Sequence, residues 1–309
     1  VIFPVPKPFK PIEIFERFPW TVTLVFLNSL LFVMIFDQPS QKVSESQQEE
    51  ELSEEFISKA GHFYLEWLHQ AQTAKGSHEI MAQGSVAVRD LDFIEEIPKW
   101  RSQVDPVGYD LWKQDFQKLF KQDQNSAIQV FGLSQSKSTI WNWVTYQFAH
   151  SGSPHLITNL LFLLFFGAVV EEMVGGLLLG ALYLIGGVIG GLFFLLMDSS
   201  GLIPLVGASA SVTALIAFVA TGSLKKNIQY FFLPAIMIPD FDGRFYMSPL
   251  WIIPLALLGD ISAVLANPPG YSDGVSYSAH LGGAFAGLIL GWSYKFGIRR
   301  ATTKASMNP

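Results

Sequence analysis

The feature that most constrains this chain is a succession of apolar segments, nearly free of charge, running from about residue 155 to residue 294. About 20 consecutive apolar residues suffice to cross the hydrocarbon core of a bilayer as a helix. There every backbone polar group must be satisfied within the segment itself. Half of the 309 residues are hydrophobic and only 15% are charged, a balance foreign to a soluble domain of this length. The net charge of -6 is placed unevenly, with acidic residues crowded between Glu45 and Asp123. No cysteine is present, which excludes disulfides, thiolate chemistry and cysteine metal sites. No cofactor and no nucleic-acid partner are expected.

Taken in order, residues 1–19 carry Lys7, Lys10 and Arg17, and basic residues before a first span favour a cytoplasmic segment. The apolar stretch 20–36 has no small-residue cleavage site after it and is read as a retained spanning helix. Residues 37–140 form a polar insert too long for an ordinary connection. Two runs in it have apolar residues at helical spacing: Phe56, Ile57, Ala60, Phe63, Tyr64, Trp67 and Leu68, then Leu111, Trp112, Phe116, Leu119 and Phe120. A helical extramembrane unit is predicted there.

Residues 141–297 hold the remaining spans. The second begins near His155 and ends by Glu171 and Glu172. The third, Gly175 to Met197, carries Gly187 and Gly191 at the spacing that suits close helix packing. The fourth runs from about Pro204 to Ala220, after a link at Asp198 to Gly201, and is followed by Lys225 and Lys226. Tyr230 to Pro239, broken by Pro234 and Pro239, reads as an interfacial or re-entrant segment. The fifth span, Ser248 to Ala266, contains Asp260, and after a loop at 267–274 the sixth runs from Tyr277 to about Tyr294. A cytoplasmic tail, 298–309, carries Arg299, Arg300 and Lys304. The predicted fold class is therefore an all-α polytopic membrane protein, a six-transmembrane-helix bundle with a large helical insert between helices 1 and 2. Both termini are expected in the cytoplasm, in a bacterial inner (plasma) membrane.

Depth then sorts the polar residues. Ser209 lies a few residues into the fourth span from its outer end, and His280 lies at a similar depth in the sixth. His150 and His155 stand at the outer mouth of the second span, with Asn159 one turn deeper than His155 on the same face. Each alone is more often a packing or pairing residue. Together they suit acyl transfer: a serine activated by a neutral imidazole, with a His N–H, an Asn amide and a backbone N–H as donors for an oxyanion. Ser211 competes as nucleophile, but a step of two residues turns it about 200° away from Ser209. His150 and His155, five apart, do not stack as metal ligands one turn apart would, so no metal site is expected. Asp260 is costly in a span. It can orient His280 or serve as a pairing residue, and pairing is the favoured reading.

These residues also carry a family resemblance. His150-x4-His155-x3-Asn159, Gly207-Ala208-Ser209 and Ala279-His280-x2-Gly283-x3-Gly287 resemble the rhomboid family of intramembrane serine proteases. Further matches are Phe131-Gly132-Leu133 and Gly167-Ala168-Val169-Val170-Glu171, and the pattern covers about residues 131–297. The resemblance implies a rhomboid-like bundle with Ser209 as nucleophile and His280 as general base. His155, Asn159 and the Ser209 amide would form the oxyanion hole, with His150, Gly207 and Ala210 supporting the cavity. Its substrates would be single-span membrane proteins met within the lipid bilayer and cut in or beside their transmembrane segment. Three positions depart from the family pattern: Ala210 follows the serine where glycine is usual, Thr213 stands where an aromatic often packs on the histidine, and Trp100-Arg101 lies far upstream of the usual Trp-Arg position. The alternatives are an inactive rhomboid-like protein that binds membrane clients, and a transporter using the same cluster. A transporter would be expected to carry internal repeats, and none is seen.

Overall fold

The structure is a computed structural model that describes residues 2–4, 14–36, 54–69, 76–88, 90–123, 127–135, 138–197, 204–223, 227–232, 243–266 and 276–307. Lys7, Lys10, the link from Asp198 to Gly201, Lys225 and Lys226, Pro234 and Pro239, and the loop 267–274 lie outside the described residues. So do the side chains of Leu119, Phe120, Arg299, Arg300 and Lys304.

Helix α1 (Pro19–Leu31) starts on a proline, whose missing N–H costs nothing in a first turn, and continues into a π-helical turn over Phe32–Phe36. No local side chain caps it. Its free amides are instead satisfied by Glu171, far along the chain. That carboxylate accepts from the Trp20 N–H at 3.1 Å, the Thr21 N–H at 2.8 Å and the Thr21 hydroxyl at 2.7 Å. Beside it Arg17 pairs with Glu172 at 3.0 Å.

The insert folds around its own core. Helices α2 (Glu54–Trp67), α3 (Ser77–Ala87), α4 (Leu91–Glu96) and α5 (Pro106–Asp123) bury Phe56, Phe63, Tyr64, Phe93, Tyr109 and Trp112 together. The predicted apolar face of the first run is thus the packed one, while Leu111 of the second run is exposed. Trp100 packs edge-on to Tyr109, and Arg101 pairs with Asp110, so both belong to this core unit. Asp90 caps α4 through the Phe93 N–H and accepts from the Tyr64 hydroxyl at 2.5 Å. Burial, then the Asp90 charge, raises the pKa of that hydroxyl.

Two long helices follow, α6 (Ser153–Val174) and α7 (Gly176–Met197), each 22 residues and each long and apolar enough to cross a membrane. α8 (Ser209–Gly222), a shorter apolar helix, starts later than expected. Residues 204–208 are not helical, because Leu205 exchanges two backbone hydrogen bonds with Leu133, N to O at 2.7 and 3.0 Å. α9 (Ile252–Ala266) and α10 (Tyr277–Met307) follow.

The expectation of an all-α chain needs correction. β1 (Ile2–Pro4), β2 (Ile228–Phe232) and β3 (Arg244–Met247) form a three-stranded antiparallel sheet in the order β1-β2-β3, with Phe3 opposite Phe231 and Tyr230 opposite Phe245. Its middle strand falls at the start of the stretch read as interfacial or re-entrant. Ile-Gln-Tyr-Phe-Phe is aromatic and β-branched, a composition that fits a half-buried pleat. Phe3 anchors the sheet to α6 by stacking on Phe165 at 4.6 Å and meeting Phe162 edge-on at 5.2 Å.

The core is built on close backbone contact. A Cβ added at Gly283 of α10 would lie 2.1 Å from the Ala210 carbonyl oxygen, and one at Gly287 2.1 Å from that of Ala214. Gly291 meets Phe218, Thr221 and Gly222 in turn. Residue numbers rise together on both helices, so α8 and α10 run parallel. On α7, Gly186 and Gly190 receive the methyls of Ala214 and Ala210. Gly187 and Gly191 instead receive Gln147 and Leu133. The Gly187/Gly191 pair therefore packs against the 133–147 segment rather than another long helix.

Gly283→Ala should lower the thermal unfolding midpoint in detergent by an amount equivalent to about 1–3 kcal/mol of overpacking. Gly297→Ala, where an added methyl meets nothing within 4 Å, should be neutral or slightly stabilising.

Candidate active site

Ser209 is the first residue of α8, and what precedes it fixes how the helix starts. The Gly207 N–H donates to the Tyr146 carbonyl at 2.9 Å. Gly207 has φ +115°, a conformation L side chains rarely adopt, and an added Cβ would lie 2.6 Å from His155 Cε1 and 2.7 Å from Nε2. Glycine is needed twice over, for the turn and for the ring beside it. The first amides of α8, Ser209 among them, have no acceptor one turn back and form the positive end of the helix dipole.

The histidines meet this helix start from the first turn of α6 and from the segment just ahead of it, where His150 lies. The rings of His150 and His155 pack edge-on with centroids 5.2 Å apart. His150 is buried: its Nδ1 lies 3.3 Å from the Phe148 carbonyl oxygen, and its Nε2 accepts from the Ala208 N–H at 3.5 Å. That pair of contacts assigns the proton to Nδ1. His155 Nδ1 lies 3.1 Å from the Ser151 hydroxyl, and its Nε2 is directed at Gly207. Asn159, one turn deeper and buried, donates to the His155 carbonyl at 3.0 Å and so steadies the first turns of α6.

His280 comes from the first turn of α10. The Gly283–Ala210 contact sets the register, and three residues back from Gly283 places His280 within one turn of the level of Ser209. Its Nδ1 lies 3.1 Å from Asp260 Oδ2 on α9, so Asp260 is a pairing residue whose partner is His280 itself. Thr213 turns its hydroxyl back onto the Ser209 carbonyl at 2.8 Å. The Ala210 methyl fills the gap opposite Gly190, in a buried cluster with Ala279.

Ser211 faces elsewhere. Its hydroxyl donates to Gln147 Oε1 at 3.0 Å in a buried setting. Gln147 Nε2 bonds the Trp143 carbonyl at 2.9 Å, and the Gln147 carbonyl accepts from the Tyr183 hydroxyl at 3.0 Å. Sequence reasoning passed over Gln147 and Tyr146. The signal available for them was the Gly187/Gly191 pair, which makes room for Gln147 and brings Tyr146 Oη to the Gly187 carbonyl at 2.6 Å.

This arrangement can be compared with known proteins. A family profile described as "Rhomboid domain" matches residues 137–295, more than half of the chain. The chain belongs to the rhomboid family. The match takes in α6 through most of α10, so α1 and the insert helices α2–α5 lie outside it. This rhomboid is 31% identical over 190 residues to mouse "Rhomboid-related protein 2", covering 60% of the chain and 59% of the relative. It is 29% identical to "RHOMBOID-like protein 5" of Arabidopsis thaliana, over 49% of the chain and 43% of the relative. With "Rhomboid-related protein 1" of Caenorhabditis elegans it shares 28% identity over 62% of the chain and 50% of the relative. The chain thus spans about half the length of the curated relatives it matches. Family membership and the apolar helices make it a membrane protein.

Ser211→Ala should cost about 1–3 kcal/mol, because it leaves the buried Gln147 side-chain oxygen, Oε1, without the Ser211 donor. The same variant should still react with a serine-directed fluorophosphonate, which gel fluorescence after labelling would read.

Proposed function

We propose that this rhomboid is an intramembrane serine endopeptidase that hydrolyses a peptide bond of single-span membrane proteins, in or beside their transmembrane segment. The observation that carries the reading is the meeting of three helix starts: Ser209 opens α8, His280 lies in the first turn of α10, and His155 of α6 stands against Gly207. A buried serine used only for packing has a partner such as the Gln147 that Ser211 has. Ser209 instead sits at an amide-rich helix terminus, two residues from the Gly207 that abuts the His155 ring.

In the proposed reaction His280 Nε2 takes the Ser209 hydroxyl proton as Oγ bonds to the scissile carbonyl carbon. The carbonyl π electrons move to oxygen, and the oxyanion is held by the Ser209 N–H, His155 and Asn159. Collapse of the intermediate breaks the C–N bond, and His280 returns the proton to the leaving amine. Water activated by the same histidine then cleaves the acyl-enzyme. Asn159 would have to release the His155 carbonyl, or share its second N–H, to join the hole. Fixed dipoles in a water-poor site are worth more than in bulk water, which suits chemistry close to lipid.

The proposed layout has six spans: the apolar helices α1 and α6–α9, and the first part of α10. The insert 37–140 lies between the first two, and both termini lie on the face opposite Ser209. Its acidic character and separate core suit a substrate-screening unit outside the bilayer.

Ser209→Ala should abolish cleavage of a co-expressed single-span substrate and remove fluorophosphonate labelling, with expression and thermal unfolding unchanged. Residual cleavage by the alanine variant would overturn the nucleophile assignment. A wild type that neither cleaves nor labels would favour a client-binding rhomboid instead.

A further inference from the structure

We propose that Asp260 is a positioning residue for His280, so that the hydrolytic machinery is a chain of three groups from three helices rather than a dyad. The proposal rests on the reading of Ser209 as nucleophile and extends it to α9, which that reading leaves idle.

The argument begins with cost. α9 is apolar, and Leu255, Leu258 and Leu265 on it are exposed, so a carboxylate in its middle is tolerable only where it finds a partner inside the bundle. Asp260 finds His280, Oδ2 to Nδ1 at 3.1 Å, with side chains only 14% and 17% exposed. An ionised carboxylate can only accept, so the contact needs a proton on Nδ1. In a neutral ring that leaves the lone pair on Nε2, the nitrogen a serine hydroxyl must reach. The contact therefore selects the tautomer competent as a base and fixes ring rotation.

During reaction the proton from Ser209 goes to Nε2 and then to the leaving amine. The Nδ1 proton stays on the ring, and the Asp260 charge balances the transient imidazolium. Apart from this polar link, α9 packs through Leu257 and its neighbours on Ala217 and Ala284. Displacement of α9 would remove the ring's anchor before disturbing Ser209.

The test uses the full-length protein in detergent or liposomes, with Asp260→Asn, an isostere whose amide can donate to Nδ1 and so favour the wrong tautomer. The expected result is a fall in kcat of about 100-fold or more with KM little changed, and an equal fall in the fluorophosphonate labelling rate. Asp260→Glu should recover at least about tenfold of that loss, since it restores an acceptor that a purely structural replacement would not need. Wild-type kcat in the Asn variant, or a Glu variant no better than Asn, would overturn the proposal. Should the variants unfold, nitrogen NMR of histidine-labelled wild type decides: Nδ1–H at His280 supports the proposal and Nε2–H overturns it. Failure of the nucleophile reading is seen separately, as wild-type protein whose labelling survives Ser209→Ala.

Discussion

The structure depends on the contact between α8 and α10. Nothing in a bilayer drives two apolar helices together as water would, so their association must come from packing and from polar contacts made at close range. Gly283, Gly287 and Gly291 supply the close range by letting backbone meet backbone. The register that results is what brings the first turn of α10 level with the first turn of α8. A helix pair held at ordinary side-chain distance would carry no such backbone register between the two helix starts. The small residues are thus the means by which the two helix starts come to one level.

The polar groups near the site follow one logic. Each is tied to backbone or to a single partner before it is free for anything else: His150 to Phe148 and Ala208, Asn159 to His155, Gln147 to Trp143 and Ser211. In a low-dielectric interior an unpaired polar atom is expensive, and a satisfied network fixes geometry. The 133–147 segment, although not a long helix, does much of this work. Leu133, Tyr146 and Gln147 hold the chain on its way into α8 and fill the notches at Gly187 and Gly191 of α7.

Much of this was legible in the sequence. Apolar length marked α6 and α7 to within a few residues. The 200° rotation between Ser209 and Ser211 foretold that Ser211 would face packing, as its bond to Gln147 confirms. What escaped was long-range. The Leu133–Leu205 exchange that delays α8 pairs residues 72 positions apart, and β1 meets β2 across most of the chain, and neither leaves a local period to read. Asp260 shows a subtler limit. Its cost in an apolar helix announced a partner and left His280 as one of two readings, and the packing of α9 on α10 brings the two side chains together.

Glu171 and Glu172 carry a consequence for how the molecule is assembled. They occupy the last turn of α6, where the helix's own carbonyl dipoles already concentrate negative potential, so in an isolated α6 these two charges are misplaced. The start of α1 presents the opposite potential, with free amides and Arg17 beside them. Each helix end is electrostatically incomplete without the other, and their docking resolves both faults at once. α1, which lies outside the rhomboid match, is in this sense a counter-ion for the last turn of α6: without it Glu171 would lose three hydrogen-bond donors and Glu172 its arginine.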